Sequence, residues 1–163
     1  MPATIDDLYA RFDDLGIRTT TVEHPAVHTA KEYEGLRDRL PGGLCRNLFL
    51  KDKKGALWLV VTTVDRQIDM KDLRRRIGSN HLSFGKADLL REVLGVEPGS
   101  VTPFALINDT GQRVRVVLDK QMMGQDILNY HPLANTASTA ISAGDLLRFI
   151  QHCGHRPDIV ELD

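Results

Sequence analysis

Two apolar segments joined by a four-residue turn constrain the fold of this chain more than any other feature of its sequence. Residues 45–51 (CRNLFLK) and 56–64 (ALWLVVTTV) are typical of strands, and residues 52–55 (DKKG) place glycine where a hairpin turn requires a positive φ. The second segment is apolar almost throughout, so we expect it at the centre of a sheet with both faces covered. The sequence therefore predicts a sheet built around this antiparallel hairpin.

Capping residues and helical spacing of apolar residues predict helices before and after the hairpin. Thr4 and Asp69 are candidate N-caps for helices that end at Gly16 and near Ile77. Further helices are expected over residues 29–40, 83–94 and 142–150, and further strands over residues 17–24, 101–107, 114–118 and 159–162. The strands at 101–107 and 114–118 are expected to form a second hairpin, whereas 130–139 shows no clear periodicity. This pattern predicts an α/β fold, with a mixed sheet that contains antiparallel hairpins and is packed with helices.

Composition and charge exclude several classes of protein. With 163 residues, 42% of them hydrophobic, the chain is expected to be one domain spanning residues 1–163. The formal net charge of -1 argues against a protein that coats nucleic acid non-specifically. No apolar run is long enough for a membrane span, and the acidic, amphipathic start is unlike a targeting peptide. Cys45 and Cys153 show no paired spacing, which suits a reduced cytoplasmic location.

Common catalytic and metal-binding signatures do not occur in the sequence. There is no GxSxG, Walker, HExxH or CxxC motif. Pro25 lies between His24 and His28 and prevents the helix that would place both on one face. His152, Cys153 and His155 lack the further ligands that a zinc site needs. We therefore expect no metal and no cofactor.

Four polar stretches each allow a structural and a functional interpretation. Residues 97–103 (EPGSVTP) form either an ordinary turn or a rigid loop whose backbone N–H groups approach a ligand. Residues 130–139 (YHPLANTAST) form either an ordinary turn or the lining of a site. Arg46 and Asn47 lie at the start of a strand. They are either a charged and a polar residue at a sheet edge or residues with a polar role in a site. Arg74, Arg75 and Arg76 are either a solvated helix end or a patch that contacts phosphates.

Taken in order, these stretches resemble a known family. The motifs are His24-Pro25, then TAKE from Thr29, RNLFLKDKKG from Arg46, GSVTP from Gly99 and HPLANTA from His131. Together they resemble the YbaK/ProX family of aminoacyl-tRNA deacylases, which is related to the editing insertion of bacterial prolyl-tRNA synthetase. The NLFLKDKKG and HPLANTA stretches are most similar to its free-standing alanyl-tRNA(Pro) deacylase branch.

The resemblance implies a mixed α/β fold and hydrolysis of the ester between a wrong amino acid and the terminal adenosine of tRNA. The backbone amides of the loop from Gly99 to Pro103 would stabilise the oxyanion, and water would attack with help from the substrate's own ribose hydroxyl. The implied partners are the acceptor end of tRNA(Pro) and prolyl-tRNA synthetase. The implied catalytic residues are Gly99, Ser100, His131 and Asn47.

The resemblance also implies a set of residues that bind the substrate. Those expected to contact the aminoacyl end of the tRNA are Arg46, Lys51, Thr102, Pro103, Asn135 and Thr136. The wall that admits alanine and excludes proline is expected to include Val27, His28 and Leu44. Arg74, Arg75 and Arg76, with Lys51, are expected to contact acceptor-stem phosphates.

Arg46 departs from the family pattern, which usually has Lys at this position. The positive charge is kept, but Arg does not readily lose a proton, so we assign Arg46 to substrate binding and not to proton transfer. Two alternatives remain open from the sequence. The same fold could edit tRNA charged with Cys, Ser or Thr, or the chain could be a non-catalytic module that binds tRNA or a synthetase.

Overall fold

Within residues 2–27 and 29–162, which the computed structural model describes, the chain forms strands and helices in alternation. The strands are β1 (Thr20–Glu23), β2 (Gly43–Asp52), β3 (Leu57–Thr63), β4 (Leu82–Phe84), β5 (Val114–Asp119), β6 (Ile127–Tyr130), β7 (Ala137–Ser142) and β8 (Asp158–Val160). The α-helices are α1 (Ile5–Leu15), α2 (Ala30–Glu34), α3 (Met70–Ile77), α4 (Ala87–Leu94), α5 (Lys120–Met123) and α6 (Ala143–His152), and Pro103–Asn108 is a 3₁₀ helix.

The strands form one mixed sheet in the order β1-β7-β6-β2-β3-β5-β8, with β4 paired to β2 beside this path. The β2–β3 hairpin is antiparallel, with Leu48 opposite Val60, which confirms the first prediction from the sequence. Leu59, Val60 and Val61 have no exposed surface, because β3 lies between β2 and β5 and both faces are covered. The predicted α/β fold with a mixed sheet is confirmed.

Helices cover the hairpin from two sides. Successive residues of a strand point to opposite faces of a sheet, and β2 follows this rule. Phe49 packs in a large core with residues of α1, α4, the 3₁₀ helix and α6. Leu48 and Leu50 pack in a second core with Leu73 of α3. The helix α3 therefore lies on the opposite face of the hairpin from α4 and the 3₁₀ helix.

Aromatic rings fill the centre of the large core. Phe104, in the 3₁₀ helix, has no exposed surface, and its ring centroid lies 5.2 Å from Phe12, 5.6 Å from Phe149 and 5.7 Å from Tyr130. All three rings meet Phe104 edge to face, the arrangement that aromatic quadrupoles favour. This cluster connects α1, α6, the end of β6 and the 3₁₀ helix.

Four of the predicted helix starts agree with the structure. Thr4 caps α1 in a complete capping box, and Gly16 ends the helix with a left-handed conformation. Asp69 caps α3, and Ser142 caps α6 through the amide of Asp145. Thr29 caps α2, but that helix ends at Glu34 and not near residue 40.

Two sequence predictions are wrong because tertiary contacts override local pattern. The expected helix over 83–94 is split: β4 pairs with β2, and α4 begins only at Ala87. The backbone of Gly85 passes so close to the ring of Phe49 that a Cβ at position 85 would lie 2.4 Å from the Phe49 Cδ2 atom. The close approach, which only glycine permits, ends the strand before the helix begins.

The expected second hairpin over 101–107 and 114–118 does not form. Pro103 occupies the first turn of the 3₁₀ helix and Thr102 caps it, with Phe104 N–H donating to the Thr102 hydroxyl at 3.2 Å. The strand β5 instead pairs parallel with β3. The stretch 130–139, which showed no periodicity, contains the end of β6 and the start of β7, which pair antiparallel around a short loop.

Within the described ranges, the longest α-helix is α1 with 11 residues, and no helix is long and apolar enough to cross a membrane.

Candidate functional site

One cleft of about 250 Å³ gathers residues from five separate segments of the chain. It contains five residues that the sequence analysis singled out: Val27, Arg46, Asn47, Gly99 and His131. It also contains Val101, which belongs to the predicted oxyanion loop from Gly99 to Pro103, and four residues that the sequence analysis did not assign to the site: Thr29, Tyr33, Cys45 and Val64. Three of the four predicted catalytic residues, Asn47, Gly99 and His131, are far apart in sequence but share this cavity, whereas Ser100 does not line it.

A rigid turn presents Gly99 to the cleft. The N–H of Ser100 donates to the Glu97 carbonyl at 2.9 Å, and Gly99 has a φ of 90°. Proline at the second position, glycine with positive φ at the third and this closing hydrogen bond define a type II turn over residues 97–100. The turn follows directly from the Pro98-Gly99 pair in the sequence.

Two backbone N–H groups at this turn remain without acceptors. In the part of the chain that the structure describes, neither the N–H of Gly99 nor that of Val101 makes a hydrogen bond. Both residues line the cleft, whereas the N–H of Ser100 is already used to close the turn. The resemblance implied that backbone amides of the loop from Gly99 to Pro103 would meet an oxyanion, and the N–H groups of Gly99 and Val101 in this loop have no acceptor among the described residues.

The strand β2 contributes a polar pair to the cleft. The Oδ1 atom of Asn47 is buried and has no hydrogen-bond partner among the described residues. Burying an amide oxygen without a partner costs free energy, so this atom is suited to accept a hydrogen bond from a ligand. Arg46 is exposed at the cleft, where its Nη1 atom lies 3.5 Å from the carbonyl of Arg66.

His131 lines the cleft in a defined tautomer. Its Nδ1 atom lies 3.0 Å from the carbonyl of Ala137, which is an acceptor only, so Nδ1 has the proton and Nε2 is left as an acceptor. Burial lowers the pKa of His131, and the neighbouring His24 acts in the same direction, while the bond to Ala137 opposes them. The side chain is therefore neutral near pH 7.

Strained backbone follows His131. Leu133 has a φ of 71°, a left-handed conformation that is unfavourable for a residue with a Cβ, and its N–H donates to the His131 carbonyl at 2.9 Å. Asn135 then donates through Nδ2 to the carbonyl of Val27 at 3.3 Å, and its Nδ2 atom would lie 3.5 Å from a Cβ at Gly99. Asn135 thus connects three segments at the margin of the cleft.

The cleft has a cysteine but no ionised nucleophile. Burial raises the pKa of Cys45 to about 12, so its thiol stays protonated at neutral pH. None of the ten lining residues is Asp or Glu. Arg46 is the one lining residue with a permanent charge.

Several predicted substrate-binding residues lie outside this cleft. Thr102 and Pro103 are buried, where they start the 3₁₀ helix, and Thr136 is exposed with its carbonyl accepting from the His24 amide. Lys51 is four residues beyond Asn47 on β2, which is roughly 13 Å along an extended strand. Leu44 packs against α2 and borders a neighbouring cavity of about 510 Å³. His28 lies outside the described residues.

The three arginines of α3 also lie away from the cleft. Their helix is on the opposite face of the hairpin from the core that contains Cys45. Arg75 and Arg76 both pair with Asp72, at 2.7 Å in each case. This arrangement matches the solvated helix end considered from the sequence. Among the described residues there is also no group of three or more His, Cys, Asp or Glu side chains placed to hold a metal ion.

We expect Gly99→Ala to lower the free energy of unfolding by roughly 1–3 kcal/mol, because an L-residue is strained at this positive φ. Urea unfolding followed by circular dichroism measures the change. Gly144→Ala is the matched control: Gly144 lies in α6 with open space around a new Cβ, so its substitution should leave stability unchanged or raise it. Equal effects of the two substitutions would contradict the assigned turn.

The lowered pKa of His131 predicts a pH dependence of stability. Because the folded-state pKa lies below the unfolded value of about 6.5, the unfolded chain binds more protons, and stability falls as the pH drops through that range. We expect the wild-type protein to lose more unfolding free energy between pH 7.5 and 5.5 than His131→Gln does. The control His81→Gln changes an exposed histidine and should follow the wild type; identical losses in all three proteins would refute the assignment.

Comparison with known proteins agrees with the resemblance seen in the motifs. The model of the aminoacyl-tRNA editing domain family matches residues 24–149. The prolyl-tRNA editing protein ProX of Acetoanaerobium sticklandii is 37% identical, over 94% of each chain. Prolyl-tRNA synthetase associated domain-containing protein 1 of Danio rerio is 40% identical, over 91% of this chain and 82% of its own.

A crystal structure described as a candidate trans-editing enzyme for prolyl tRNA synthetase has the same fold. It superposes with a TM-score of 0.72, covers 99% of this chain and 98% of its own, and is 19% identical. The match to the family model and the two relatives establish the relationship that the motifs indicated: the chain belongs to the aminoacyl-tRNA editing domain family.

Proposed function

We propose that this protein is a free-standing deacylase that hydrolyses alanine from mischarged Ala-tRNA(Pro) and spares Pro-tRNA(Pro), with residues 1–163 acting as one editing domain. The observation that supports this most strongly is the cleft itself. Among the described residues, it combines two unpartnered backbone N–H groups with an unpartnered amide oxygen, and its lining contains no ionised nucleophile. Such a site suits an ester whose hydrolysis depends on stabilising an oxyanion.

The N–H groups of Gly99 and Val101 donate to the carbonyl oxygen of the aminoacyl ester. As water adds to the carbonyl carbon, negative charge develops on this oxygen, and fixed donors stabilise it without reorganisation. Each such donor contributes about 3 kcal/mol to lowering the barrier. The type II turn supplies the rigidity, because Pro98 and Gly99 fix the backbone before the substrate binds.

The attacking group is water, assisted by the neighbouring ribose hydroxyl of the terminal adenosine. Cys45 is excluded as a nucleophile because its pKa is raised to about 12. Neutral His131 offers Nε2 as an acceptor for the water or for the ribose hydroxyl. When the tetrahedral intermediate collapses, the ester oxygen of the ribose leaves with a proton and free alanine is released.

Asn47 and Arg46 position the substrate. The Oδ1 atom of Asn47 accepts a hydrogen bond from the α-amino group or from the ribose, which satisfies its buried oxygen. Arg46, exposed at the cleft, binds the phosphate of the terminal nucleotide. We place this phosphate contact at Arg46 and not at Arg74, Arg75 or Arg76, because Arg46 lines the cleft and none of these three arginines does.

A second pocket is needed because alanine is smaller than proline. A synthetase site built for proline cannot fully reject a smaller side chain, since one methylene gives only about 1–3 kcal/mol of discrimination. A cleft that admits alanine and excludes proline completes the selection. The substrate is the acceptor end of tRNA(Pro) in the cytoplasm, after its release from prolyl-tRNA synthetase.

The proposal predicts selective deacylation. Purified protein is mixed with Ala-tRNA(Pro) or Pro-tRNA(Pro), and loss of the labelled amino acid is followed; we expect alanine to be released at least tenfold faster than proline. Asn47→Ala should lower kcat/KM for Ala-tRNA(Pro) by roughly 10- to 100-fold, because a buried acceptor for the substrate is lost. Equal release of both amino acids, or release of neither, would contradict the proposal.

The same assay separates the two alternatives. A panel of tRNAs charged with Cys, Ser or Thr tests whether another amino acid is the preferred substrate. A non-catalytic module would bind Ala-tRNA(Pro) without hydrolysing it, and Arg46→Lys would then restore activity. Under our proposal the wild type is already active, and Arg46→Lys changes kcat/KM only modestly because the charge is retained.

A further inference from the structure

Tyr33 is the largest side chain in the lining of the cleft, and the sequence analysis gave it no role. It lies on α2, which is anchored by a small apolar cluster separate from the two main cores. Only 7% of its surface is exposed. The other apolar walls of the cleft are the shorter side chains Val27, Val64 and Val101. The phenol ring therefore determines how much space one side of the cleft leaves for a ligand.

The Tyr33 ring is held on one side by His131. The two ring centroids are 5.5 Å apart, with an angle of 48° between the planes. His131 cannot swing away freely, because its Nδ1 proton is bound to the Ala137 carbonyl of β7. The ring of Tyr33 thus packs against a group that is itself fixed to the sheet.

The hydroxyl of Tyr33 lies beside buried polar groups. The Nδ1 atom of His24 lies 2.9 Å from the Pro25 carbonyl, and its Nε2 atom lies 2.9 Å from the Oγ atom of Ser138, which is fully buried. Burial raises the pKa of the Tyr33 phenol, and a polar contact with the side chain of Ser138 opposes this increase. Ser138 therefore links the phenol of Tyr33 to His24.

We propose that Tyr33 is the specificity-determining residue that sets the upper size limit of the aminoacyl side chain. The inference rests on the proposed deacylase function and deepens it. Proline exceeds alanine by two ring carbons, and a wall that cannot move rejects them, whereas a mobile side chain would yield. The contacts to His131 and Ser138 keep the phenol ring in place at both ends, so it acts as such a wall.

The test compares rates of deacylation of Ala-tRNA(Pro) and Pro-tRNA(Pro) by variants of the full chain. Tyr33→Ala removes the wall and should reduce the alanine-to-proline ratio of kcat/KM at least tenfold, mainly through faster release of proline; discrimination of one methylene corresponds to about 10- to 200-fold. Tyr33→Phe keeps the ring but loses the polar contact with Ser138, so a smaller reduction is expected. Tyr9→Ala, a tyrosine outside the cleft that bonds to Thr21, is the matched control and should keep the wild-type ratio.

A narrowing variant keeps the inference testable if Tyr33→Ala does not fold. Tyr33→Trp enlarges the wall, so hydrolysis of Ala-tRNA(Pro) should fall at least tenfold more than hydrolysis of Gly-tRNA(Pro). An unchanged alanine-to-proline ratio in a folded Tyr33→Ala, or equal losses for both esters in Tyr33→Trp, overturns the role of Tyr33. A wild-type protein that hydrolyses no ester overturns the proposed function instead, so the two failures are distinguishable.

Discussion

The packing of the Phe104 ring fixes the relative position of the two loops that form the cleft. Phe104 follows the Gly99 turn by five residues, and its ring meets that of Tyr130, which directly precedes His131. The same ring contacts Phe12 and Phe149, so the helices α1 and α6 hold it in place. A buried aromatic cluster therefore brings the backbone amides at residues 99–101 and His131 into the same cleft, although they are far apart in sequence.

The chemistry that we assign to the cleft depends on backbone groups and on neutral side chains. The N–H of Ser100 closes the type II turn, and among the residues that the structure describes the N–H groups of Gly99 and Val101 have no acceptor. Burial keeps Cys45 protonated and His131 neutral, so neither introduces charge beside the developing oxyanion. Arg46 supplies a positive charge at the exposed side of the cleft. A cleft with neutral side chains near the backbone amides and a positive charge at its exposed side suits a reaction in which the substrate contributes its own hydroxyl group.

The sequence predicted those parts of the molecule whose determinants are local. The β2–β3 hairpin, the caps at Thr4, Asp69 and Ser142 and the turn at Pro98-Gly99 depend on neighbouring residues and were found. The 3₁₀ helix that begins at Pro103 and the break between β4 and α4 at Gly85 depend on contacts with distant residues. Periodicity therefore predicted a strand over 101–107 and one continuous helix over 83–94 instead. The sequence did not identify Tyr33 and Cys45 as cleft residues, because residues of these types with these sequence neighbours are also typical of an ordinary hydrophobic core. Lys51 belongs to the same sequence motif as Asn47 but does not line the cleft, because four residues of an extended strand separate them.

Amide hydrogen exchange, measured by NMR with and without a non-hydrolysable 3′-alanylamido analogue of the terminal adenosine, tests the central claim most directly. In the free protein the amide of Ser100 should be protected, whereas those of Gly99 and Val101 should exchange quickly. Addition of the analogue should protect Gly99 and Val101 as they bind its carbonyl oxygen. Binding of the analogue with no change in exchange at either amide would show that the carbonyl lies elsewhere and would contradict the account.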